Sequence, residues 1–387
     1  MKTRILTAAI CILSCTANAQ QKLTMIDQDY ELAKTTAAQQ QKLLIIDFYT
    51  TWCIPCKELD KKIFQNDSIS QKIGTDFIVL RYDAEKDAVH NLSLKHHIAS
   101  YPTTIVLSPT GNVIRKMYGT GGEAALITNY TRLLQESIAL NRSSSFIPGV
   151  AAAIDTTIYP AFYKKYVRRI ADIGPSDLAD FWKSATDLKA ERSFDILAYF
   201  GRAPEHVVDY FLRNKAGYEA LYGQADVKFV LNNIVSEKFS AAVTAKNETA
   251  YAAAKKFART QLSADEAARV VNAYDLDMQM ATSKWQNAAD LIEQRIRQKA
   301  MNENGINAFC WAVYETCGDK QVIGRAVRMM KDVVEQNPQF ATLDTYARLL
   351  SKSGNKDAAK EAMARAIALG KAAGEDTGES EEAMLKF

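Results

Sequence analysis

Two cysteines set three residues apart, Cys53-Ile54-Pro55-Cys56, are the side chains in this 387-residue chain best suited to chemistry. Such a pair can hold a metal, form an inert bridge, or cycle between dithiol and disulfide. The flanking sequence decides among these. The apolar run Leu43-Leu44-Ile45-Ile46-Asp47-Phe48-Tyr49 leads into the pair, and a helical pattern from Lys57 to Phe64 leads out of it. Cys53 therefore falls at a helix N-terminus, where unpaired N–H groups and the helix dipole favour a thiolate. The thiolate is the attacking species in disulfide exchange. Cys56, one turn further in, is expected within reach of Cys53, less open to solvent, and able to resolve a mixed disulfide.

The elements that must hold this pair are readable around it. A continuous apolar run suits a strand covered on both faces, as strands of parallel sheets are. Asp29 to Gln41 predicts a helix before it, with Leu32 and Ala33 among the apolar positions. The outgoing helical pattern continues over Ile69 to Ile73. Phe77-Ile78-Val79-Leu80-Arg81-Tyr82 predicts a second strand, followed by a short helix near Val89 to His96. Thr103 to Leu107 and Val113 to Tyr118 read as two strands joined by Ser108-Pro109-Thr110-Gly111-Asn112, a hairpin turn. A helix from Glu123 to Ala139 closes a compact α/β arrangement.

The rest of the chain bounds the setting. Lys2 and Arg4, the apolar stretch Ile5 to Leu13, and Ala17-Asn18-Ala19 have the layout of a secretory signal over residues 1–19. Ile12-Leu13-Ser14-Cys15 forms a competing processing site that would give a lipid anchor at Cys15. Either route exports the protein, with the periplasm as the expected location. No later stretch reaches about 18 apolar residues. Of six cysteines, Cys11 and Cys15 belong to the leader, and the remaining four are too few for a disulfide framework. A net charge of +3 without a basic cluster argues against nucleic acid as a partner.

Asn141-Arg142-Ser143-Ser144-Ser145 and Pro148-Gly149 mark a linker at 141–150. It separates a domain over 20–140 from an all-helical region over 151–387, where Ala, Leu, Lys and Glu recur at helical spacing. Ser176 with Asp180 reads as a helix start. Near the end, Leu343, Tyr346, Ala347, Gly354, Ala359, Met363 and Ala366 fall at the spacing of a tetratricopeptide helix pair, with an irregular bundle as the alternative. Residues 372–383, rich in Gly and Glu, are expected to form a solvated tail.

Asp47-Phe48-Tyr49-Thr50-Thr51-Trp52-Cys53-Ile54-Pro55-Cys56-Lys57 resembles the active-site segment of thioredoxins. Its continuation through Glu58 to Phe64 is most similar to the C-terminal thioredoxin-like domain of bacterial periplasmic thiol:disulfide interchange proteins of the DsbD type. Tyr101-Pro102-Thr103 and Gly119 fit later landmarks, so the resemblance covers roughly residues 25 to 138. It implies an α/β thioredoxin fold followed by an all-α, tetratricopeptide-like region. It also implies catalysis by Cys53 and Cys56, with Asp47 buried beneath them as proton acceptor. Trp52, Tyr101 and a cis Pro102 would meet the substrate, the Tyr101 backbone pairing with an extended segment. Ile54, Pro55 and Lys57 would border the site. Ile54-Pro55 lacks the His of oxidising relatives, which points toward the reducing end of the scale, about −270 mV rather than −120 mV. The implied partners are disulfide-containing exported proteins and an upstream membrane or periplasmic electron donor, with no cofactor beyond the cysteine pair.

Other candidates carry less. Cys310 and Cys317, seven apart, would lie about 10 Å apart along one helix, beyond bridging distance, and read as buried free thiols; a bridge stays open if Cys317 falls in the turn before Gly318. The four His residues (His90, His96, His97, His206) lack zinc-site spacing. Tyr159, Phe162, Tyr163 and Tyr166 recur at helical spacing and read as core. Two other functions stay open at this point: a copper chaperone using Cys53 and Cys56 as soft ligands, and a helical scaffold with a thioredoxin-like contact domain.

Overall fold

The computed structural model describes residues 22–122, 124–174 and 176–387. The expected leader, its Cys15 anchor, Glu123 and Pro175 lie outside the described residues. The chain divides into two compact units, the first ending at Ile234 and the second running Val235–Phe387.

The first unit is built on a five-stranded sheet in the order β1-β3-β2-β4-β5: β1 (Met25–Asp27), β2 (Leu43–Tyr49), β3 (Phe77–Asp83), β4 (Thr103–Leu107) and β5 (Val113–Tyr118). Strands β1, β3 and β2 run parallel, and β4 and β5 are antiparallel to their neighbours. The central strands are apolar because both their faces are covered. Helix α1 (Tyr30–Gln40) begins where Asp29 Oδ1 accepts from the Leu32 amide at 2.9 Å. Helix α2 (Ile54–Leu59) passes directly into a π turn, Asp60–Phe64. The extra residue in that turn keeps Ile63 and Phe64 buried in line with Leu59. Helix α3 (Asp67–Asp76), the short α4 (Leu92–Lys95) and α5 (Leu126–Arg142) complete this part. One core forms between the sheet and α2, α3 and α5, uniting Leu43, Ile45, Leu59, Ile63, Val79, Tyr130 and Leu133. This is a thioredoxin fold.

Beyond α5 the chain is helical. The stretch expected as a linker is tied down near its end: the Ile147 amide donates to Val113 O and the Gly149 amide to Leu221 O. Helices α6 (Ala161–Val167), α7 (Asp177–Ser184), α8 (Glu191–Phe200), α9 (Glu205–Arg213) and the run α10 (Lys215–Thr244), broken at Gly223 with φ 82°, follow. Tyr163, Phe194, Tyr218 and Tyr222 are fully buried among them, so the aromatic spacing noted in the sequence does mark core. The boundary between the units falls within α10.

The second unit contains α11 (Glu248–Gln261), α12 (Ala264–Ala281), α13 (Trp285–Arg297), α14 (Glu303–Thr316), α15 (Lys320–Gln336), α16 (Phe340–Lys352), α17 (Lys356–Ala373) and α18 (Gly378–Leu385). Its main core includes Leu343, Ala347, Ala359, Met363 and Ala366, together with the free, buried Cys310 and Cys317. Residues 372–383 are not a solvated tail. Half of them belong to α18, whose Ser380 and Ala383 are buried, and Ser380 Oγ donates to Asp344 Oδ1 at 2.7 Å.

Candidate functional site

Strand β2 sets the site. It ends at Tyr49, and Thr50-Thr51-Trp52 carry the chain to Cys53, the N-cap of α2. Pro55 in the first turn fits that position because its missing N–H would have no partner there anyway. Cys53 and Cys56 are joined in a disulfide with Cα atoms 5.3 Å apart. The Cys56 amide donates to Cys53 Sγ at 3.1 Å, so a backbone donor of the helix start already points at the outer sulfur. Both cysteines are equally enclosed in this oxidised form, whereas the sequence led us to expect Cys53 to be the more open. Their neighbours Trp52 and Ile54 are 60% and 73% exposed, and Pro55 and Lys57 are also exposed.

Asp47 is on β2, six residues before Cys53. Residues alternate along a strand, so Asp47 shares a face with Leu43 and Ile45, the face that α2 and α5 cover. The carboxyl is 1% exposed and its Oδ1 has no hydrogen-bond partner. Burial pushes its pKa up to about 7; Arg81, opposite it on β3, pulls down, and Asp60 in the π turn pushes up. Arg81 in turn lies 3.5 Å from Asp60 Oδ1. Tyr130 from α5 and Thr104 from β4 are also buried here, and burial together with the Asp47 carboxylate pushes the Tyr130 hydroxyl well up.

The start of β4 supplies the third side. Thr103 pairs with Phe48, which brings Tyr101 and Pro102 beside the end of β2. The Tyr101–Pro102 peptide is cis. The Tyr101 ring meets Trp52 edge-on, with centroids 6.0 Å apart. Trp52 Nε1 donates to Glu85 Oε1 at 2.9 Å, and Arg169 pairs with the same carboxylate. Sequence reading did not single out Glu85, Arg169, Tyr130, Arg81 or Asp60. Only the backbone register or tertiary packing brings them here.

Of the other candidates, His96 and His97 are buried, and burial depresses both. His97 bonds Asp195 Oδ1 at 2.9 Å and the Tyr118 hydroxyl at 2.9 Å. Burial pushes the Cys310 thiol up, which suits packing and not attack. Among the described residues, no group of three or more His, Cys, Asp or Glu side chains is placed to hold a metal ion, and no helix is long and apolar enough to cross a membrane.

A thioredoxin fold with a close cysteine pair at the start of its second helix defines a class, the thiol–disulfide oxidoreductases. Comparison with known proteins agrees at the level of the domain: the thioredoxin-like family profile matches residues 24–109. The thiol:disulfide interchange protein DsbD of Haemophilus ducreyi is 30% identical over 105 residues, 27% of this chain and 18% of that protein. Thioredoxin-1 of Drosophila melanogaster is 34% identical over 74 residues, 19% of this chain and 64% of that one. The crystal structure of the germline-specific thioredoxin Deadhead from the same fly is 26% identical, covers 29% of this chain and 99% of that chain, and gives a TM-score of 0.24. The chain thus spans less than a fifth of the interchange protein's length.

Proposed function

We propose that this protein is an exported thiol:disulfide oxidoreductase that reduces, or relays electrons to, disulfides of other exported proteins through Cys53 and Cys56. One observation carries the reading: the two sulfurs form a disulfide at the start of α2, and the strand that leads to them holds a buried carboxyl whose pKa burial has raised to about 7. A carboxyl titrating near neutrality can both take and return a proton.

In the reducing direction the Cys53 thiolate attacks one sulfur of the substrate disulfide. That S–S bond breaks, and the first leaving thiolate takes a proton from water. Cys56 then gives its proton to Asp47 and attacks Cys53 Sγ. The mixed disulfide breaks, the second substrate thiolate leaves, and the protein retains its own disulfide. Two electrons have passed to the substrate, and a dithiol donor of lower potential returns them. Trp52 and the Tyr101 backbone ahead of Pro102 would meet an extended substrate segment, with Ile54, Pro55 and Lys57 at its border. The helical remainder selects the partner, the α14–α18 region acting as a tetratricopeptide-like groove. Periplasmic export, by the leader at 1–19 or by an anchor at Cys15, supplies substrates that contain disulfides. The likeness to DsbD-type interchange proteins supports an electron-relay role.

Insulin reduction tests this. The wild-type chain with a competent thiol donor is expected to accelerate insulin precipitation, and Cys53→Ser to abolish the effect. Cys56→Ser should trap partners in mixed disulfides that a Cys53→Ser control does not recover. No acceleration by the wild type removes the proposal, and a reduction potential above roughly −160 mV removes the reducing direction.

A further inference from the structure

The dithiol is bordered by a residue that the thioredoxin fold itself does not supply. Helix α6 ends in a turn closed by the Arg169 amide donating to Tyr166 O and the Ile170 amide to Lys165 O, with Arg169 at φ 56°. Arg168 Nε donates to Asn91 Oδ1 at 3.1 Å, fixing this turn against the segment after β3. From there the Arg169 guanidinium reaches Glu85 Oε1, the same oxygen that accepts from Trp52 Nε1. It also lies against the Tyr101 hydroxyl. One guanidinium therefore ties together the two aromatic residues flanking the disulfide. A planar fork of five donors can engage several partners at once, and a lysine's point charge does so less well.

The surroundings are open. Arg169 is 58% exposed, and a groove of about 360 Å³ runs from Glu85 past Ala88 and Asn91 to Arg168 and Ile170. Ile170 and Val89 are exposed large apolar residues like Trp52 and Ile54. A polypeptide held by the disulfide would meet this rim, and a small disulfide would not extend to it.

Resting on the oxidoreductase reading, we propose that Arg169 is a positioning and specificity-determining residue. Through Glu85 it holds the Trp52 indole and makes the rim of the helical extension part of the binding surface for polypeptide disulfides.

The test uses the full chain and two substrates, insulin and 5,5′-dithiobis(2-nitrobenzoate). Arg169→Ala is expected to raise KM for insulin about fivefold with kcat within about twofold, as truncation of an interface anchor does. The aromatic disulfide should be affected less, and Arg169→Lys should recover part of the loss. A second readout needs no turnover: the Trp52 indole N–H signal in ¹H–¹⁵N NMR, assigned with Trp52→Phe. It should move in Arg169→Ala and stay in Lys165→Ala, whose exposed side chain lies on the same helix. An unmoved signal in Arg169→Ala overturns the proposal, and so does an equal loss toward both substrates. If the wild type reduces neither substrate, the functional reading falls and takes the specificity role with it; the indole signal then decides the positioning role on its own.

Discussion

Asp47 places a carboxyl between a covered sheet and two helices, where ionisation is opposed by lost hydration. Its folded pKa of about 7 stands above the ordinary 3.8. Between those values the folded chain binds a proton that the unfolded chain has released, so this residue's contribution to stability falls as pH rises from 4 to 7. Removing the charge should reverse that. Asp47→Asn is expected to be more stable than wild type by about 2–4 kcal/mol at pH 8 and near equal at pH 4. The same variant should release mixed disulfides roughly 100-fold more slowly, for want of a proton acceptor. Urea unfolding at the two pH values and mixed-disulfide lifetimes check both halves; equal stability at pH 8 would refute the charge penalty. Asp47 was legible as a candidate because its place six residues before Cys53 is a matter of local sequence. Glu85 and Arg169 were not, since a surface Glu and a surface Arg 84 residues apart look like any other solvated charges until the chain is folded.

At the scale of elements, long apolar runs announced β2 and β3, because buried central strands must be apolar on both faces, and the turn at Ser108 to Asn112 announced the hairpin of β4 and β5. Strand β1 escaped notice: it has three residues, the first and last exposed, and pairs only at the sheet edge. The π turn was equally invisible, for its residues fit an ordinary helical pattern. Helix α18 shows how composition misleads. Gly, Ser and Glu suggest solvent, yet Thr377, Ser380 and Ala383 share one buried face. Gly370 on α17 permits the approach, since a Cβ there would stand 2.7 Å from Thr377 Cγ2. Asp344 accepts from both Ser380 Oγ and Arg348 Nε, so the helix is docked by a hydrogen bond as well as by apolar surface. Ser380→Val leaves one of those carboxylate oxygens unpaired and should cost about 1–3 kcal/mol. Hydrogen exchange over 378–387 should then lose protection; unchanged protection would show that Ser380 does not dock α18.

At the scale of the first unit, the sheet and the helices after it are joined by buried charges whose pairing no local spacing announces. Lys116 bonds Asp226 Oδ2 at 2.8 Å, the Tyr118 hydroxyl donates to Asp226 Oδ1 at 3.0 Å, and Lys95 pairs with Glu191. Because the Tyr118 hydroxyl donates to Asp226, it accepts from His97 Nε2. His97 Nδ1 then faces Asp195 Oδ1, and Tyr159 donates to Asp195 Oδ2. Burial depresses His97 to about 3 and raises Asp195 to about 7, so the folded pair holds one proton on the carboxyl. The unfolded pair also holds one between pH 4 and 6.5, but on the imidazole. Proton counts match, and the pair adds no slope to stability in that range. Asp195→Asn breaks the balance: the folded state then carries no titrating proton while the unfolded His97 still gains one. The variant should lose about 1–2 kcal/mol more than wild type on going from pH 6.5 to pH 5, read as the shift in urea midpoint for the first unit. Parallel midpoints for the two proteins across that range would mean that His97 keeps its proton in the folded variant and that Asp195 is not the group that sets the pair's proton count.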